Sequence, residues 1–244
     1  MSSKIKIIIL STVTIICIVT VFSFPPIPQN PTYHHFADTE TKNNIPNAFN
    51  VLSNLPFLLF GIMGIILVWN KSKYLELNQL IFFIGIFFTG IGSSVYHLNP
   101  CNQTLVWDRL PMTISFMSFL SIIISEYIDK ALGKKLLIHF IFVGILSVVY
   151  WYQTELKGVG DLRFYALIQF MPIVITPLII LLFNNTSSKT YLLLMLVIYL
   201  MAKLCERFDQ ELFLMSHFIS GHSLKHFLAS MAPLPYIIKL KQKL

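Results

Sequence analysis

The sequence predicts an all-α fold, a polytopic transmembrane helix bundle with a seven-helix core plus one N-terminal helix. Three observations predict it. Of 244 residues, 55% are hydrophobic and 12% charged, about half the charged share of a soluble domain. The apolar residues fall in runs long enough to cross a bilayer, which takes roughly 17–25 residues at about 1.5 Å of rise each. The connections between runs are short, so neighbouring helices are expected to pack antiparallel.

In order, spans are expected at 5–24, 48–69, 80–98, 110–127, 135–152, 164–183, 191–204 and 218–238. The seventh is short and is expected to tilt or to end in the interface. The domain reading follows: 1–24 an N-terminal transmembrane helix, 25–47 a polar non-cytoplasmic loop, 48–238 the seven-helix domain, 239–244 a basic cytoplasmic tail. Lys4 and Lys6 ahead of the first apolar run also suit a signal peptide. The run is longer than a usual signal core and no small-x-small cleavage site follows it, which favours a retained helix.

The formal charge of +7 does not indicate nucleic acid, because the basic residues are scattered singly and in pairs between apolar runs. They serve instead to orient the chain. Lys4, Lys6, Lys71, Lys73, Lys130, Lys134, Lys135, Lys189, Lys239, Lys241 and Lys243 fall on the N-terminal side. Lys42, Arg109, Lys157, Arg163, Lys203 and Arg207 fall opposite, eleven against six, so both termini are expected in the cytoplasm. Three cysteines make no disulfide framework, although Cys101 and Cys205 on one face would permit one bridge. No feature calls for an obligate protein partner.

Ionisable side chains inside spans are costly and mark sites. Here they converge. Span three ends in Ser93, Tyr96 and His97, span four opens near Asp108, and span eight opens with Ser216, His217, Ser220, His222, Ser223, Lys225 and His226, all at the non-cytoplasmic end. His222 and His226 stand one helical turn apart and can hold one ion together. With His97 they supply three imidazoles, the donor set of a catalytic zinc that keeps one position for water. Ser93 lies one turn from His97, and Asp108 follows across a short loop. His217 is off the shared face, His34 and His35 sit in a loop, and His139 is on the opposite side. Glu206, Arg207 and Asp209 read as interfacial charges or an ion pair, with support of the site as the alternative.

Four segments resemble the alkaline ceramidases, within a superfamily of seven-helix membrane hydrolases and receptors that includes the progestin/adiponectin receptors. They are Asn50-Val-Leu-Ser53-Asn54, Gly92-Ser93-Ser-Val-Tyr96-His97, Asp108-Arg-Leu-Pro111-Met112 and Gly221-His222-Ser-Leu-Lys-His226, within residues 38–238. The resemblance implies zinc on His97, His222 and His226, with Asp108 and Ser93 as catalytic residues in amide hydrolysis. It implies a ceramide-like N-acyl lipid substrate drawn from the bilayer. It also implies a calcium site in the segment before the core, where Asp38, Glu40 and Asn43 are similar; Asn47 stands where a carboxylate is expected and Lys42 intrudes. On this reading Asp108 is general base and then acid, and Ser93 donates to the oxyanion. A receptor or lipid-binding protein with structural zinc is the alternative; a spare carboxylate beside an open metal position favours chemistry. A transporter would need inverted repeats and broken mid-membrane helices, and the sequence presents neither.

Overall fold

The computed structural model describes residues 1–71, 76–183 and 189–242. Lys73, Lys243 and Leu244, used above for orientation and for the tail, lie outside the described residues. The fold is all-α. Its helices are α1 (Ser3–Ser23), α2 (Ala48–Leu52), α3 (Leu55–Lys71), α4 (Leu77–Leu98), α5 (Asn102–Tyr127), α6 (Lys130–Leu156), α7 (Arg163–Phe183), α8 (Lys189–Arg207), α9 (Asp209–Ser216), α10 (Gly221–Met231) and α11 (Leu234–Lys241). A 3-10 turn, Pro31–His34, precedes α2.

Among the described residues six helical stretches are long and apolar enough to cross a membrane: Ser3–Ser23, Ala48–Asn70, Leu77–Leu98, Asn102–Tyr127, Lys130–Leu156 and Arg163–Phe183. The chain is a multi-pass membrane protein. These six match the first six expected spans. The seventh, α8, carries Lys203, Glu206 and Arg207 in its last turns and falls short of that apolarity. The eighth is broken into α10 and α11, because Pro233 and Pro235 lack the N–H that would carry α10 through. The tail begins later than the expected position 239, since α11 continues through Lys241 and buries Lys239 over the Tyr236 ring at 4.8 Å.

Helix α5 starts eight residues before the expected position 110. The cause is a local cap. Leu105 N–H donates to the Cys101 carbonyl at 2.9 Å as the first helical bond, and the Thr104 hydroxyl accepts from Cys101 N–H at 3.2 Å, one half of a capping box. Asp108 therefore lies in the second turn of α5 rather than at its opening.

The described residues cluster into two compact units, and α4 and α5 each have segments in both. In the unit made of Met1–Gln29, Leu77–Phe82 and Thr113–Lys189, α7 packs between α1 and α6. Arg163 ties the end of α1 down, donating from Nη1 to the Phe24 carbonyl at 2.6 Å and from Nε and Nη2 to Asp161 at 2.9 and 2.7 Å. Leu162 N–H reaches Ile27 O at 2.8 Å and Gln29 N–H reaches Glu155 Oε1 at 2.6 Å. The Arg163 guanidinium holds the Asp161 carboxyl down to about 2, well below the usual carboxylate range.

In the unit made of Asn30–Glu76, Phe83–Met112 and Thr190–Leu244, α3 packs against α10 and α11, and α10 also meets α2 and α9. Its apolar floor includes Phe83, fully buried and stacked on Tyr236 at 6.3 Å between centroids. Every residue of the predicted site belongs to this unit.

Candidate metal centre

His97 is the penultimate residue of α4, and His222 and His226 occupy the first two turns of α10. All three are buried. Their Nε2 atoms face one another: His97 lies 3.2 Å from His226 and 3.3 Å from His222. One ligand atom from each falls within 4.8 Å of the others, and no other such group of His, Cys, Asp or Glu forms among the described residues. Two Zn–N bonds of about 2.0–2.1 Å at a tetrahedral angle set their nitrogens about 3.3–3.4 Å apart. Two of the three separations here match that figure.

The tautomers agree with a metal. The Ser53 hydroxyl donates its single proton to Asn50 O at 3.0 Å, so at 2.9 Å it accepts from His226 Nδ1–H. That leaves a lone pair on His226 Nε2. An ammonium can only donate, so Lys225 Nζ at 3.0 Å makes His222 Nε2 an acceptor as well. A metal cation among the three nitrogens would take up these lone pairs. His97 Nδ1 is buried without a hydrogen-bond partner in the structure. The residues present fit zinc.

Two close approaches build this arrangement. A Cβ on Gly92 would meet the Trp107 carbonyl at 1.9 Å and Asp108 N at 3.3 Å. That carbonyl is the one Pro111, four residues on, has no N–H to satisfy. Glycine thus lets α4 lie directly on an exposed carbonyl of α5, and the next residue, Ser93, lies beside the Asp108 side chain. Both groups are buried. At the other side, a Cβ on Gly221 would meet Cys205 O at 2.2 Å. The absence of one lets Asp209 Oδ1 accept from His222 N–H at 2.6 Å, while Ser220 accepts from Ser223 N–H at 3.1 Å. The first N–H groups of α10 are capped twice, and the ligand helix is fixed in register.

Asp209 does more than cap. Its Oδ2 accepts from Ala37 N–H at 2.9 Å, drawing residues 36–38 over the centre. The Phe36 ring packs 4.6 Å from both the His97 and His222 rings. His34 is held between the Tyr96 hydroxyl and Asn102 Oδ1, each at 2.9 Å, so neither of its nitrogens faces the centre. Asn50 donates to Asp38 O at 3.0 Å and accepts from the Ser223 hydroxyl at 2.8 Å, joining the same segment to α10.

The remaining candidates lie apart. His35, His139 and His217 are exposed. Glu40 pairs with Lys42 at 3.1 Å in solvent, Asn43 adopts a left-handed backbone with φ 50°, and Asp38 turns inward to accept from Glu40 N–H at 2.9 Å. Glu40 and Asp38 are thus held by separate partners. The cysteines are free, so the permitted Cys101–Cys205 bridge is not formed. Sequence reasoning gave Lys225 and Phe36 no definite role, and Asp209, read as an interfacial charge with support of the site as the alternative, takes the supporting place. Glu206, read as an interfacial charge or ion pair, joins Lys203 and also meets Lys225 at 3.1 Å, which brings it to the site.

Fold and site together define a multi-pass helical membrane protein with a buried three-histidine centre and an adjacent carboxylate. A search of curated proteins returned no match. The family model described as Ceramidase matches residues 38–241, and the chain belongs to that family. Membership makes it a membrane amide hydrolase of the ceramide-cleaving class.

Proposed function

We propose that this chain is a zinc-dependent amidohydrolase of the alkaline ceramidase type, cleaving a ceramide-like N-acyl lipid to a fatty acid and a free amine base. The observation that supports it best is the converging Nε2 set of His97, His222 and His226 next to the Ser93–Asp108 pair. Zinc held there acts as a Lewis acid, acidifying water and polarising a carbonyl.

The residues divide the remaining work. Asp108 takes one proton from the attacking water as the C–O bond forms, then delivers it to the amide nitrogen as the C–N bond breaks. Water and amide become carboxylic acid and amine, with no other reactant. Ser93, expected to donate to the oxyanion, also lies beside the Asp108 side chain, where it suits holding that carboxylate in line. Ser53 fixes the ring of His226, and Asp209 fixes the backbone of His222. Phe36 keeps bulk water from the His97 and His222 rings. Calcium on Asp38, Glu40 and Asn43 stands as a separate proposal, tested by calcium titration of the purified protein. An amide set near one end of a bundle suits a substrate with acyl tails in the bilayer.

Metal analysis of detergent-purified protein, paired with hydrolysis of a fluorescent ceramide, tests this. His222→Ala is expected to lose zinc and turnover together. Asp108→Asn is expected to keep zinc and lose about 10²-fold or more in kcat. A fully active Asp108→Asn would refute the proton-transfer role, and protein without zinc would refute the centre.

A further inference from the structure

We infer that Lys225 is a catalytic residue, the cation that receives the acyl oxygen as negative charge develops on it; this rests on the proposed amide hydrolysis at the same site. Ser93, the donor that the sequence suggested for the oxyanion, carries no charge, whereas Lys225 brings a charged donor to the facing nitrogens.

Lys225 stands between the two ligands of α10, three residues after His222 and one before His226. Its Nζ lies 3.0 Å from His222 Nε2 and 3.1 Å from Glu206 Oε1, and its side chain is 14% exposed. An ammonium has three N–H groups. Glu206 takes one and keeps the side chain aimed at the centre. The bond to His222 uses a lone pair that a bound metal also requires, so zinc binding frees that N–H at a point about 3 Å from a ligand atom. A substrate carbonyl brought up to the histidines thus meets an N–H already aimed there. Fixed donors placed where charge develops need no reorganisation during the reaction.

Glu206 is itself held by two lysines, Lys203 on its own helix and Lys225 on α10. Of these, Lys225 stands at the ligand nitrogens, and its charge suits the two anionic forms the acyl group passes through, the tetrahedral oxyanion and the fatty carboxylate product. The neutral headgroup hydroxyls of a ceramide have no need of it. In the balanced reaction Lys225 makes and breaks no bond; it hydrogen-bonds the oxygen while water adds and the amine departs.

The test compares wild type, Lys225→Met and Lys225→Arg as full chains in detergent. Three quantities are read: zinc content and affinity by chelator competition, kcat and KM on a fluorescent ceramide, and affinity for laurate. Lys225→Met is expected to bind one zinc at least as tightly as wild type, because a positive charge beside a ligand nitrogen has gone. Its kcat should fall about 10²-fold or more, with KM within about 3-fold. Laurate should bind at least about 10-fold more weakly, and Lys225→Arg should recover part of both losses. A Lys225→Met enzyme with wild-type kcat overturns the inference. So does one that loses its zinc along with its activity, which would assign Lys225 to the metal centre or to folding. If the wild type holds zinc yet does not cleave ceramide, the proposed function falls, and laurate decides separately. Weakened laurate binding in Lys225→Met would still sustain the acyl-oxygen contact, and unchanged binding would overturn it.

Discussion

Gly92→Ala is the substitution on which the geometry bears most directly. It adds one methyl where α4 lies on α5, and the new Cβ would sit 1.9 Å from the Trp107 carbonyl oxygen. Ordinary contact between these atoms begins at roughly 3.4 Å, so something must move by about 1.5 Å. Neither partner is a flexible side-chain end: one is a helix backbone and the other a carbonyl. The helices must separate at this crossing. Ser93 and Asp108, the residues next in line, are drawn apart with them. Overpacking of this kind typically destabilises by about 1–3 kcal/mol, and a displaced catalytic group adds a loss of about 10²-fold in turnover. The ligand histidines lie elsewhere, one turn on in α4 and across in α10, so zinc stoichiometry should survive. The measurement is thermal unfolding, zinc content and ceramide turnover on one preparation. A Gly92→Ala protein with wild-type melting temperature and wild-type kcat would refute the claim that this close approach positions Asp108.

Ser53→Ala removes the acceptor of His226 Nδ1–H. Zinc affinity in a chelator competition should fall about 10–100-fold, the usual effect of removing a hydrogen bond that orients a ligand; unchanged affinity would show that packing alone fixes the ring. Asp161 gives the pH dependence. Its carboxyl is held down to about 2 by Arg163, below the unfolded value of about 3.9. A depressed carboxyl contributes stability above its unfolded value and loses it as pH falls through the folded one. The stability gap between wild type and Asp161→Asn should therefore be constant from pH 7 to about pH 5 and close between about pH 4 and 2. A gap that persists at pH 2, followed by thermal melts, would contradict the ion pair.

The membrane helices were legible wherever apolar residues run unbroken, because span length is set by the bilayer and not by long-range contacts. The metal histidines were legible for a related reason: His222 and His226 share a helix face by spacing alone, and His97 is delivered to the same depth by antiparallel packing. The role of Ser93 was not. Spacing places its hydroxyl in the cavity, but only the approach at Gly92 decides that Asp108 is its partner. The start of α5 depended on Thr104 closing back on Cys101, a substitute for the Ser/Thr and Glu/Gln pair that marks such a cap in sequence. Asp209 was legible only as an alternative, since its partners Ala37 and His222 lie 172 and 13 positions away.

Two helices that fall short of a membrane span, α8 and α10, bring Glu206, Lys203, Lys225, His222 and His226 to the site. This is cause rather than coincidence. A metal ligand set needs imidazoles, the imidazoles need hydrogen-bonded orientation, and a cation among them needs a counter-charge. Each requirement places a polar residue where a plain span would place leucine. Away from water, each must then be satisfied within the protein. The double cap on α10, the Ser53–His226 contact and the Glu206 ion pairs meet that demand. The proline break after α10 leaves an 11-residue helix whose first two turns carry both ligands, rather than a continuous span crossing past them. Low apolarity in a helix that packs at the centre of a membrane unit is therefore a signal of chemistry, and in this chain it points to the same residues as the histidine spacing.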